Sequence, residues 1–235
     1  MEYSDNKFML HFTQANVSRQ FIHLREYYNE ISPMIIGQKQ DLIAKNEKLQ
    51  KDLENESEEA RDQHYDLYFD DFYLIEMIEQ TYCNSMIISI YTLIEKYLNE
   101  FCKRLKDIKN IPIKHSELRG DGVERAKIYI NKLCELKFDQ NDAEFLSGIN
   151  AIRNVIAHEN GELYNTDEKN INKILNISKK TSGCTVKQED YIDESGNIKK
   201  IYQNIELEFA FVDYSLMQGV IVFKNLFEQF KNNVA

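Results

Sequence analysis

Arg153, Asn154 and His158 are the residues of this chain whose types and spacing can do chemistry together. A histidine, with an ordinary pKa of about 6.5, takes up or gives back a proton near neutral pH. An arginine grips a phosphate through two parallel N–H donors and stabilises added negative charge. Asn154 is one helical turn before His158, within reach to orient the imidazole or bind phosphate. RNA brings its own nucleophile, the 2′-hydroxyl. A phosphate grip and a proton carrier therefore suffice for one reaction class, phosphoryl transfer to that hydroxyl. One site holds a single histidine for both acid and base roles, whereas a two-fold pair of chains would supply two of each residue. The structural alternative has Arg153 salt-bridged to an acidic neighbour and His158 at a helix C-terminus, where its cationic form is favoured. No Gly-rich phosphate loop, zinc-ligand set or nucleophile elbow is present, so the expected chemistry uses no metal and no cofactor.

The element that must position these residues is a helix with marked ends, Asn141 to Gly161, NDAEFLSGINAIRNVIAHENG. Asn141 is its expected N-cap, with Glu144 completing a capping-box-like pair. Gly161, after Asn160, is the expected left-handed residue at its end. Phe145, Ile149, Ile152 and Ile156 form one apolar stripe. Ser147, Ala151, Asn154 and His158 cluster on the opposite side, small or polar, a face suited to close approach by a second copy. Arg153 falls between the faces. An ideal helix separates Arg153 from His158 by about 140°. The two meet only if the helix end unwinds, if the arginine curls round, or if a second copy supplies one of them.

The string Arg153-Asn154-Val155-Ile156-Ala157-His158, late in a core helix, resembles the R-x4-6-H motif of HEPN domains. The resemblance extends in helical layout over roughly residues 65 to 180. It implies an all-helical, usually dimeric module of toxin–antitoxin, abortive-infection or other antiviral defence proteins, many of them metal-independent ribonucleases. RNA as substrate, a homodimer, and an antitoxin or defence-complex protein as a further partner follow as expectations, in the cytoplasm. A non-catalytic interaction or sensor module is the alternative. In some HEPN-like folds an acidic residue reaches the motif arginine, and Glu95 would do so here. In nucleotidyltransferase-paired toxins a tyrosine follows two after the histidine. Here that position is Asn160, and the next tyrosine is Tyr164, so control by nucleotidylation is not implied.

The rest of the chain reads as one predominantly all-α domain over 1–235, a helical bundle with a projecting charged arm and a small β-hairpin. Its core is expected over about 65–180, completed by a C-terminal helix over 212–231. Two prolines and eight glycines in 235 residues leave little material for turns, and 43% hydrophobic residues suffice for a core. The net charge of −10 argues against a general nucleic-acid coat protein, though not against a local basic groove. No signal peptide or membrane-spanning run is apparent. Cys83, Cys102, Cys134 and Cys184 lack metal-ligand spacing and read as reduced thiols.

Along the chain, a helix is expected over about 14–31, with His23 packed beside its stripe and Pro33 breaking it. Residues 35–62 form the charged arm. Over 41–71, 11 acidic residues face 4 basic ones, a net of −7 that reads as a solvated helix or a docking arm. The most apolar long helix is Phe72–Leu105. Residues 103–137 reverse the sign, with ten basic and five acidic residues, a net of +5. Lys103, Arg104, Lys114, Arg119, Arg125 and Lys127 are its candidate RNA-backbone rim, and His115 is expected on the surface. A short helix over 166–177 follows the motif. The hairpin is placed at 185–205, turning at Glu194-Ser195-Gly196-Asn197. The last helix packs Leu216, Val220, Phe223, Leu226 and Phe230.

Overall fold

The computed structural model of the chain describes residues 3–53, 56–120, 122–192 and 198–234, with side chains from residue 13 to residue 233 of these. Its order is α1 (Tyr3–Asp52), α2 (Glu58–Ile108), a 3₁₀ turn at His115–Glu117, α3 (Gly122–Leu133), α4 (Gln140–Glu159), α5 (Glu168–Ser178), β1 (Cys184–Ile192), β2 (Ile198–Leu207) and α6 (Phe209–Val234). The fold is predominantly helical with one small antiparallel hairpin, as the sequence indicates. Among the described residues no helix is long and apolar enough to cross a membrane.

The core forms around the C-terminal half of α2. Ile87, Ile90, Ile94, Leu98 and Phe101 are fully buried there, because α1, α3, α4 and α6 all pack against this one helix. Phe101 meets Phe227 of α6 edge-on at 5.3 Å between ring centroids. On α6 itself Leu216, Phe223, Leu226 and Phe230 are buried, while Val220 is 41% exposed, on the outer side of its stripe. All four cysteines are buried and free, and burial pushes the thiols of Cys83 and Cys184 up to about 12.

Several boundaries differ from the sequence reading. Pro33 does not break α1; the helix runs through it. Its ring lies on the exposed side, while Tyr28, Ser32 and Ile35 bury the opposite face. That packing offsets the lost hydrogen bond. The arm is correspondingly not a lone helix over 35–62. It is a helical hairpin made by the end of α1 and the start of α2, which begins at Glu58 rather than near Phe72. Ser57 caps α2, its Oγ accepting from the Ala60 amide at 3.3 Å. Lys39 ties the two legs together, reaching Glu79 at 2.9 Å and Glu76 at 3.5 Å. Beyond Ile35 in α1 and before Ile75 in α2, no described residue is fully buried.

The two histidines flanking the body exchange the places expected of them. His23 is exposed beside Glu26, one position round from the buried stripe. His115 is buried edge-on against Tyr129, because the 3₁₀ turn folds it inward over α3. The hairpin extends over both expected strands, with a bulge between Lys187 and Gln188. Its expected turn, Glu194 to Asn197, lies outside the described residues. β2 also stitches down the loop after α4. The Leu163 amide donates to the Gln203 carbonyl at 2.8 Å, and the Ile205 amide to the Gly161 carbonyl at 3.0 Å.

Candidate functional site at the end of α4

Helix α4 starts two residues earlier than the cap expected at Asn141. Asp139 is the N-cap, accepting from the Asp142 amide at 2.8 Å. Glu144 turns outward instead, to Lys180 and Gln140. Asn160 takes the left-handed conformation at φ 51°, and Gly161 follows at φ 88°. Phe145, Ile149 and Ile152 are buried as the stripe requires, and Ile156 is partly so. Gly148 lets α5 approach; a Cβ there would lie 2.9 Å from the Ile177 Cβ.

The helix stays regular to Glu159, so nothing unwinds to bring Arg153 and His158 together within one copy. His158 is exposed in the last turn. Arg153 is half-buried, with its guanidinium carbon 5.3 Å from the centre of the Tyr91 ring of α2. One of its terminal nitrogens donates to the Asn154 Oδ1 at 3.0 Å. Its Nε is buried without a hydrogen-bond partner among the described residues. Asn154 is thus turned toward Arg153, not back toward the imidazole.

Glu95 does not pair with Arg153, contrary to the expectation from the resemblance. It lies one turn beyond Tyr91 on α2 and faces the start of α3. There a Cβ added to Gly122, at φ 45°, would fall 2.5 Å from Glu95 Oε1 and 2.8 Å from the Tyr91 hydroxyl. Only glycine admits this approach, and the positive end of the α3 dipole faces the carboxylate instead of the arginine. The Tyr91 hydroxyl is held above its ordinary pKa, first by burial and then by Glu95. The Val123 backbone and Arg153 pull it the other way.

The basic segment divides into cations committed to the fold and cations left to solvent. Lys127 donates to Glu124 at 3.2 Å and to Ser147 Oγ at 2.7 Å, so it braces α3 against α4 and is not part of an open rim. Arg104 pairs with Glu100 at 3.6 Å. Arg125 is half-buried, its Nε without a described partner. Lys103, Lys114 and Arg119 are exposed. Burial first, then Arg125 and Lys103, lower the pKa of His115, which keeps that imidazole neutral at neutral pH.

The small face expected to receive a second copy is not open. Ala151 is 1% exposed within a single chain, and Ser147 is engaged by Lys127 and Glu124. Asn154 is half-buried, and of this face only His158 is exposed, next to exposed Ala157. The reason is geometric. Between the apolar stripe and this face, α4 is contacted by α2, α3, α5 and α6, which leaves little of its circumference free.

Tyr91 lies within the apolar run Phe72–Leu105, where the sequence shows no sign that it belongs to the site. Its spacing of four from Glu95 is the one local signal that both face the same neighbour. Among the described residues, no group of three or more His, Cys, Asp or Glu is placed to hold a metal ion. Comparison with protein-family models, curated proteins and solved structures gives no match.

Proposed function

We propose that the chain is a HEPN-like, metal-independent endoribonuclease of a toxin–antitoxin, abortive-infection or related antiviral defence system. The observation that carries this reading is Arg153: a half-buried guanidinium held on the Tyr91 ring, with no described carboxylate neutralising it. Such a cation is preorganised for an added phosphate. His158, five residues further on, is exposed and so open to solvent and substrate. Exposed Lys103, Lys114 and Arg119 provide backbone-binding charge elsewhere on the surface.

In the proposed step His158 takes the proton of the ribose 2′-hydroxyl as its oxygen attacks the adjacent phosphorus. The bond from phosphorus to the 5′-oxygen breaks, and that oxygen receives a proton from a protonated imidazole. A second copy meeting the exposed end of α4 supplies that imidazole. The products carry a 2′,3′-cyclic phosphate and a 5′-hydroxyl. Arg153 stabilises the charge on the non-bridging oxygens throughout.

The test joins cleavage, RNA affinity and thermal melting on the same preparations, with excess EDTA present. His158→Ala is expected to keep its fold and RNA affinity while cleavage falls about 10²–10⁴-fold. Arg153→Lys, which keeps charge but loses the planar grip, is expected to bind RNA and lose most cleavage. Loss of cleavage in wild type on adding EDTA, restored by magnesium or manganese, would sink the mechanism. So would residual cleavage that simply follows the folded fraction. A second reading, a non-catalytic interaction module in a defence complex, is favoured by the exposed apolar residues of the arm.

A further inference from the structure

The α2 leg of the arm carries large apolar side chains that stand mostly in solvent. Tyr65, Phe69, Tyr73 and Met77 are 61%, 58%, 62% and 49% exposed. They recur every four residues and so form a single ridge along the helix. Carboxylates line it at helical spacing: Asp66 three residues before Phe69 and Asp70 three before Tyr73. Residues 58–79 hold eight acidic residues against one arginine. Asp66 and Asp70 make no ion pair with any described residue. Contiguous apolar surface of this extent marks an interaction site.

The flank of the same ridge shows what such a surface binds. There Lys39 of α1 lies 5.5 Å from the centre of the Phe72 ring and pairs with Glu79 and Glu76. An aromatic ring flanked by carboxylates is thus already filled by a cation at the foot of the ridge. Further along the arm Tyr65 and Phe69 repeat the rings, and Asp66 and Asp70 the carboxylates, with no described cation paired to them. At its foot the ridge opens into a groove of about 600 Å³, whose lining includes Lys39, Tyr73, Met77, Glu208, Asn160 and Gly161. A ligand lying along the ridge therefore ends beside the C-terminus of α4.

We propose that the outward face of the arm docks an arginine-rich amphipathic helix of a partner protein. Arginine suits it better than lysine, because a planar guanidinium stacks on a ring while bonding a carboxylate through two N–H groups. Rings four residues apart are about 6 Å apart along the axis, the spacing of arginines at every fourth position of a helix laid alongside. The arm of a second copy is excluded by charge, since it carries the same acidic excess. This inference stands independently of the ribonuclease reading.

The probe is a labelled helical peptide with arginine and leucine each at every fourth position. A second peptide has lysine in place of arginine. Both are titrated by fluorescence anisotropy into the full-length protein near physiological salt. The expected result is saturable one-to-one binding of the arginine peptide, with the lysine peptide a few-fold weaker. Phe69→Ser combined with Tyr73→Ser is expected to weaken it about tenfold or more. Asp66→Asn combined with Asp70→Asn removes charge without touching the rings and is expected to give a similar loss. Glu189→Gln combined with Asp190→Asn, on exposed β1, is expected to leave affinity unchanged. Equal losses from the β1 and arm variants would reduce the binding to general charge attraction and overturn the proposal. Unchanged affinity in both arm variants would overturn it too. Self-association of the protein without peptide, abolished by both Tyr73→Ser and Lys103→Glu, would assign the ridge to a second copy instead and equally overturn it.

Discussion

Helix α2 lives in two environments. From Cys83 to Leu105 its apolar residues are enclosed by α1, α3, α4 and α6. From Tyr65 to Ile78 it is nearly as apolar, yet Leu67, Phe69 and Tyr73 stand mostly in solvent. Composition does not separate the halves; the number of neighbouring helices does. One helix laid against another covers one side of each, and the arm has α1 alone. A long helix can therefore anchor a core with one half and present a binding surface with the other, with no boundary visible in its backbone.

The largest expected effect sets two alanines of α4 against each other. Ala151, 1% exposed, is part of the enclosed body. Ala151→Arg buries an unpaired charge and overpacks the helix contacts, so it should destabilise by more than about 4 kcal/mol. Ala157 is exposed six residues later. Ala157→Arg should leave the melting temperature nearly unchanged and, if two copies meet there, turn dimer to monomer in light scattering. A folded Ala151→Arg protein would break the distinction between body and surface.

Next comes the contrast within α2. Phe101→Ala should cost about 3–5 kcal/mol in denaturant unfolding, since that ring is fully buried against Phe227. Tyr73→Ala should stay within about 0.5 kcal/mol. Comparable losses from the two would mean that the arm is as enclosed as the core.

The smallest effect sharpens the picture of the body. Asp142 is 1% exposed and accepts from Gln218 Nε2 at 3.0 Å and Asn225 Nδ2 at 2.9 Å. Burial nevertheless raises its pKa above the usual carboxylate value. The folded state therefore holds its proton to higher pH than the unfolded chain. The resulting penalty is absent below the unfolded pKa, grows as pH rises through the folded one, and is fully present at neutral pH. Asp142→Asn removes it, with Gln218 able to turn its amide and donate no longer. The difference in melting temperature, variant minus wild type, should grow more positive from about pH 3 to pH 7. A flat difference would mean that the two amides fully compensate the burial.

Much of this was legible in the residues. The 3.6-residue stripes of α4, α6 and the C-terminal half of α2 name their buried faces, because these are packed along most of their length. The hairpin shows in its turn signal, Glu194 to Asn197, between two flanking runs. What escaped was set by contacts distant in sequence. Pro33 is the strongest local breaker in the chain, but burial of Tyr28, Ser32 and Ile35 against neighbours outweighs one missing bond. Asn141 and Asp139 are both good caps, and nothing local ranks them. Arg153 and His158 stand out by type and spacing, whereas the Tyr91 ring under Arg153 comes from another helix, brought there by the core. The face of Ser147 and Ala151 reads as a dimer surface because small side chains suit any close neighbour, and here α3 and its fellows are the neighbours.

A proline inside a helix leaves one carbonyl without its amide, and in α1 that carbonyl belongs to Asn29. The ladder of hydrogen bonds lacks a rung just where α1 passes from the body into the arm. Fraying that starts at the tip meets its natural stop there. Amides from Ile36 onward then exchange with deuterium at the rate of arm opening, while those around Val17 to Tyr28, buried against α2 and α6, wait for far rarer openings. On this geometry, opening of the arm is expected to stop short of the helices that hold Arg153.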